Sequence, residues 1–141
     1  MYSSIKTAII NKLTAITGIK NVYGYEKGDL VGYPSAVVTL AGIETPPLDN
    51  RSDTRQYSFK IRLYQEMEDD GIGAETAEGR IEALIDSVIG AFEDDYTLGG
   101  LVYNVSLRAE MGYSDRGVNT RAFDITLDVF AIYNLNTTFY D

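Results

Sequence analysis

Arg55-Gln56-Tyr57-Ser58-Phe59-Lys60-Ile61-Arg62-Leu63-Tyr64 is the stretch on which the fold turns. Tyr57, Phe59, Ile61 and Leu63 alternate with Gln56, Ser58, Lys60 and Arg62. Successive side chains of a strand point to opposite sides. This segment therefore reads as a strand with one face in a core and the other polar, the pattern of an antiparallel sheet covered on one side.

On its C-terminal side lie Glu68-Asp69-Asp70-Gly71 and then a helical pattern from about Ala74 to Phe92. Ala77, Ile81, Leu84, Ile85, Val88, Ile89 and Phe92 recur at helical spacing and form one apolar stripe. After Gly99-Gly100 two further strands are expected. In the first, Leu101, Tyr103, Val105, Leu107 and Ala109 alternate with Val102, Asn104, Ser106, Arg108 and Glu110. In the second, Phe123, Ile125, Leu127, Val129 and Ala131 alternate with Asp124, Thr126, Asp128, Phe130 and Ile132. A connection rich in Gly, Asp and Asn, Gly112 to Thr120, joins them and exceeds the usual hairpin loop.

On the N-terminal side, Ile5, Ile9, Leu13 and Ile16 predict a first amphipathic helix over Ser4 to Thr17, with Ser3 or Ser4 as cap and Gly18 as stop. A short strand is expected around Val22-Tyr23-Gly24-Tyr25. Tyr33-Pro34 then leads into Ala36-Val37-Val38-Thr39-Leu40, an apolar run rich in β-branched residues. Glu44 to Thr54, with Pro46-Pro47 and Asp49-Asn50, reads as a long polar loop. The order is helix, two or three strands, helix, two strands. It predicts one α+β domain over residues 1–141, with two amphipathic helices packed on one face of a mostly antiparallel sheet. Phe59, Ile61, Leu107, Ile125 and Leu127 should meet both helix stripes.

Composition narrows the chemistry. At 141 residues, 45% apolar and 23% charged, the chain is long enough for one core and ordinary in make-up. No apolar run approaches the roughly 18–20 residues that span a bilayer, and the N-terminus does not read as a signal peptide. We therefore expect cytoplasmic synthesis and no membrane partner. Without cysteine or histidine there is no disulfide framework, thiolate site, imidazole base or His-bearing triad. Asp69-Asp70 and Asp94-Asp95 lack the alternating oxygen ligands of a calcium loop and read as solvated turn residues. Gly71-Ile72-Gly73 lacks the Lys and Ser/Thr of a phosphate loop and is crowded by Asp69, Asp70 and Glu75. No catalytic residue, metal ligand or cofactor-binding residue is expected. The net charge of −9, from 21 acidic and 12 basic residues, disfavours a grip on nucleic acid.

What remains is association. Phe130 and Ile132 place large apolar groups on the strand face that Asp124, Thr126 and Asp128 make polar, with Tyr133 beside them. Such a patch implies a second burial against a partner. The eleven tyrosines and absent tryptophan agree, since tyrosine is favoured at interfaces. The loops Glu44–Thr54 and Gly112–Thr120 are the other candidate contacts, through Pro46, Pro47, Asp49, Tyr113 and Arg116. Lys60, Arg62, Arg108, Glu110, Asp124 and Asp128 form either a ladder of cross-strand ion pairs on a solvated sheet or the wall of an interface or lumen.

The order of elements resembles that of the tail terminator (tail completion) proteins of long-tailed bacteriophages. The resemblance is carried by the first helix ending before Asn21-Val22-Tyr23-Gly24-Tyr25 and by Tyr33-Pro34-Ser35-Ala36-Val37-Val38. It continues through the mid-chain loop, the strand Tyr57 to Tyr64, the helix Ala74 to Phe92 and the closing strands. It implies a structural virion protein at the head-proximal end of the tail: a homohexameric ring that stops tube growth. Its partners would be other copies of itself, the tail-tube protein and the head-side connector (stopper), with DNA passing unbound through the ring. Acids such as Asp124, Asp128 and Glu110 would then line a lumen that repels phosphate. Other readings of the chain are another head–tail connector or neck subunit (stopper or adaptor), a tail-tube-related protein, an accessory enzyme domain using a carboxylate pair, and a small-ligand module lined by tyrosines.

Overall fold

The computed structural model describes residues 2–25, 34–45, 52–66, 72–109, 113–116 and 120–134, with side chains over 3–25, 34–45, 55–65, 78–109 and 120–131. Its elements are α1 (Tyr2–Thr14), β1 (Asn21–Tyr23), β2 (Ser35–Glu44), β3 (Ser52–Glu66), α2 (Ile72–Asp94), β4 (Asn104–Arg108), β5 (Tyr113–Arg116) and β6 (Thr120–Asn134). The sheet runs β1-β2-β3-β6-β4, with β5 paired to β6 on the same side as β4. All pairings are antiparallel except β1 with β2. The architecture is α+β, as the residue pattern predicts.

Both helices lie on one sheet face. Ile5, Ile9 and Leu13 of α1 and Ile81, Leu84, Val88 and Phe92 of α2 join Val38, Phe59, Ile61, Leu63, Ile125, Leu127 and Val129 in one buried cluster. Leu107 and Ile85 only pack against it half-buried, because they stand at the β4 edge where no further strand covers them. α1 is shorter than expected and ends at Thr14. Thr14 Oγ1 donates to the carbonyl of Ile10 (2.8 Å), a local bond that competes with helix continuation. Gly18 follows at φ 106°, a left-handed conformation that costs glycine no steric strain.

Both loops are shorter than their composition suggests. β2 continues to Glu44 and β3 starts at Ser52, leaving residues 45–51 between them. The alternation in β2 is hidden by a bulge: Leu40 pairs with Phe59 but Gly42 with Ser58, so Ala41 is an extra residue that flips the parity. Within the expected loop from Gly112 to Thr120, Tyr113–Arg116 form β5, and Arg116 pairs with Thr120. The expected long strand from Leu101 begins only at Asn104. Before it, Val102 is buried while Leu101 and Tyr103 are exposed, the reverse of the expected alternation. A turn sets that phase: Leu98, Gly99 and Gly100 all have positive φ, Gly99 N–H donates to Asp95 Oδ1 (2.9 Å), and Val102 N–H donates to the Thr97 carbonyl.

Candidate functional site

The second face of the sheet is where the sequence places its candidate residues, and cross-strand register orders them into rows. Glu44, Gln56, Phe130 and Asn104 form the first row across β2, β3, β6 and β4. Ser58, Asp128 and Ser106 form the next, then Lys60 and Thr126, then Val37, Arg62 and Asp124, and last Ser35, Tyr64 and Ala122. This face is not uniformly polar. Val37, Tyr64 and Ala122 are buried there and, with Tyr23, make a second small core at the β1 end. The three long strands expected to be polar on this face thus carry a buried apolar end at Tyr64 and Ala122.

The middle rows form a ladder of charge-assisted contacts. Arg62 Nε lies 2.9 Å from Asp124 Oδ1, directly across β3 and β6. Partial burial works against the Arg62 charge, but a hydrogen bond with Tyr64 and the Asp124 carboxylate more than offset it and hold its pKa above the ordinary value. Asp128 is 7% exposed. One of its oxygens accepts from Ser58 Oγ (2.7 Å), and the other lies 3.2 Å from Arg108 Nε. Asp124 and Asp128 are thus neutralised within the chain. The geometry realises the cross-strand ladder, one of the two roles the sequence allowed them.

Phe130 stands at the far end of this ladder, on the polar face as expected, but half-buried. Beside it in register, Asn104 Oδ1 is buried and has no hydrogen-bond partner among the described residues. A buried acceptor left unpaired costs about 1–3 kcal/mol and calls for an explanation. Ile132 and Tyr133 follow in β6, opposite Thr54 and Asp53, and Tyr113 and Arg116 sit in β5. Only their backbone register is described. Pro46, Pro47, Asp49 and Glu110 lie outside the described residues, as do Asp69 and Asp70.

Asp95 belongs to a different contact. Its carboxylate accepts from Gly99 N–H and lies 3.1 Å from Lys12 Nζ, and those two partners, in that order, lower its pKa. On the helix side, Arg121 Nε lies 3.1 Å from Glu78 Oε2, tying β6 to α2. Among the described residues no group of three or more acidic side chains could hold a metal. No described helix is long and apolar enough to cross a membrane.

Two features were missed in the sequence. One is a cleft of about 250 Å³ between α2 and β4, lined by Ile85, Ile89, Glu93, Ser106, Leu107, Arg108, Ala109 and Ile125. The other is a set of exposed aromatics, Tyr25, Tyr96 and Tyr103. The signal for the cleft is the apolar stripe of α2, which is wider than β3 and β6 can cover. No protein-family model and no curated protein matches the chain.

Proposed function

We propose that this chain is a structural subunit of a phage tail, forming a ring at the head-proximal end of the tail tube. There it ends tube polymerisation and presents the surface to which the head connector binds. The observation that carries the reading is the Phe130 end of the second sheet face. An apolar ring and a buried amide oxygen with no partner among the described residues stand side by side at the end of the ladder in which Ser58, Arg62 and Arg108 meet Asp124 and Asp128. A partner laying an apolar surface over the half-buried ring would complete its burial, which is what an assembly contact offers.

The balance of charge supports passage rather than capture of DNA. The net charge is −9, and Arg62, Arg108 and Arg121 already face carboxylates. Because Asp124 and Asp128 are paired, repulsion of phosphate in a lumen falls to other acids.

The direct test polymerises a phage tail-tube protein with and without this chain. Shorter tubes with this protein at one end are expected. Tubes of unchanged length that carry none of it would remove the proposal.

A further inference from the structure

The helical layer is electrically lopsided. No acid precedes Glu26, and α1 with its following turn carries Lys6, Lys12 and Lys20, of which Lys12 turns inward to Asp95. Residues 72–100, by contrast, hold seven acids and a single base, Arg80. The sheet order puts these halves at opposite edges: α1 packs over β1 and β2, and α2 over β3, β6 and β4. Among the described residues the α1 edge is therefore mainly basic and the α2 edge mainly acidic, with Arg108 beside the cleft already paired to Asp128.

Each edge also carries an apolar feature. At the acidic edge, Ile85 and Ile89 face Leu107 and Ala109 across the cleft between α2 and β4. Glu82, Asp86 and Glu93, all exposed, recur on the same helical stripe as Ile89. The cleft, about 250 Å³, is smaller than the roughly 300–1,000 Å³ typical of small-molecule sites. It has room for a side chain rather than a cofactor. At the basic edge, Tyr25 is 60% exposed, its ring 6.4 Å from that of Tyr23 in an edge-to-face arrangement. A Cβ at Gly24 would lie 3.1 Å from Ile10 Cδ1 and 3.3 Å from Lys6 Cε, so the lysine stem packs down beside this aromatic corner.

We propose that the occupant of the α2–β4 cleft is Tyr25 of a second copy of this chain, with Lys6 and Lys20 of that copy set against Asp86 and Glu93. A tyrosine anchored in an apolar cleft and rimmed by opposite charges is the composition of an interface hot spot. The contact joins two different edges, so it is heterologous: repeated, it closes into a ring or runs on as a filament. The inference deepens the ring reading by assigning its subunit contact, and rests on it in requiring self-association.

The test uses two blocked variants. Tyr25→Ser removes the knob, and Asp86→Lys with Glu93→Lys reverses the rim of the cleft. Ala109→Tyr, which fills the cleft from the strand side on the face that Leu107 shares, serves as an independent block should the helix variant not fold. Native mass spectrometry of the wild type should show oligomers, and each variant should be a folded single chain by circular dichroism. An equal mixture of the knob and rim variants should then yield a species of two chains and nothing larger, because one good edge of each remains. Assembly of either variant like wild type would overturn this contact and leave the ring reading standing. So would a mixture that stays monomeric, or variants that lose only binding to the tail-tube protein. A wild type that remains a single chain at every concentration would overturn both.

Discussion

Lys12 Nζ lies 3.1 Å from Asp95 Oδ2, fastening the last turn of α1 to the turn that follows α2. The two helices make few direct contacts with each other, so this pair and the shared core set their spacing.

The pair gives stability an acid limb. The Asp95 carboxyl is held below its ordinary pKa, first by Gly99 N–H and then by Lys12. A depressed carboxylate contributes stability that is complete above its unfolded pKa and is lost as pH falls through the folded value. Denaturation midpoints should therefore drop as pH falls below the ordinary aspartate range. In Asp95→Asn that drop should shrink, while stability at neutral pH falls slightly. Parallel pH profiles for the two proteins would show that Asp95 is not among the groups responsible.

Gly18→Ala should destabilise the protein for two separable reasons. The backbone there has φ 106°, and a Cβ would sit 3.2 Å from Leu84 Cδ2. The left-handed conformation alone costs an L-residue about 1–2 kcal/mol. Leu84→Ala in the same chain relieves the contact but not the conformation. A double-mutant cycle should thus show partial, not full, compensation.

Leu127 and Ile85 both belong to the apolar pattern, yet they should respond differently to truncation. Leu127 is fully buried in the middle of the sheet, and Leu127→Ala should cost about 2–5 kcal/mol. Ile85 is half-buried beside the cleft, and Ile85→Ala should cost only about 1 kcal/mol. Equal losses in urea titrations would mean that the cleft is closed in solution.

Ser58 and Asp128 are opposite each other in register and 2.7 Å apart. Asp128→Ala should cost about 1–3 kcal/mol by stranding Ser58 and Arg108 around a vacated carboxylate. Ser58→Ala should cost less, since Arg108 still pairs with the acid. Additive losses in the double variant would show that the short contact carries no coupling.

Phe130→Ser should weaken assembly while leaving the subunit folded, because the main core lies on the other sheet face. Oligomer mass and circular dichroism on the same sample decide it. An intact assembly, or loss of fold and assembly together, would return Phe130 to an ordinary structural role.

The central sheet and both helices were legible because their signals are periodic and local. Tyr57, Phe59, Ile61 and Leu63 keep strict parity, and so do Ile125, Leu127 and Val129. Parity failed wherever the backbone inserts a residue or turns. The extra Ala41 hid the second half of β2, and the turn through Leu98, Gly99 and Gly100 put Val102 inside. Tyr64 was unreadable for another reason. Its burial depends on Val37 and Ala122, strands away in sequence, and tyrosine is equally at home on a surface. The ladder's residue types were visible, but its pairing was not: Ser58 reaches Asp128 across seventy positions.

β6 supplies the partner for both β3 and the β4–β5 edge, pairing Ser52 with Asn134 at one end and Glu66 with Thr120 at the other. On the ribosome, every other strand therefore emerges before the strand that joins them. Until then one flank of β3 is an open template, and its closure spans a large stretch of chain, which slows folding. Unpaired strand edges of this kind are where nascent chains aggregate. How promptly β6 is delivered should therefore weigh on the yield of native protein, through translation speed and chaperone cover as well as through final stability.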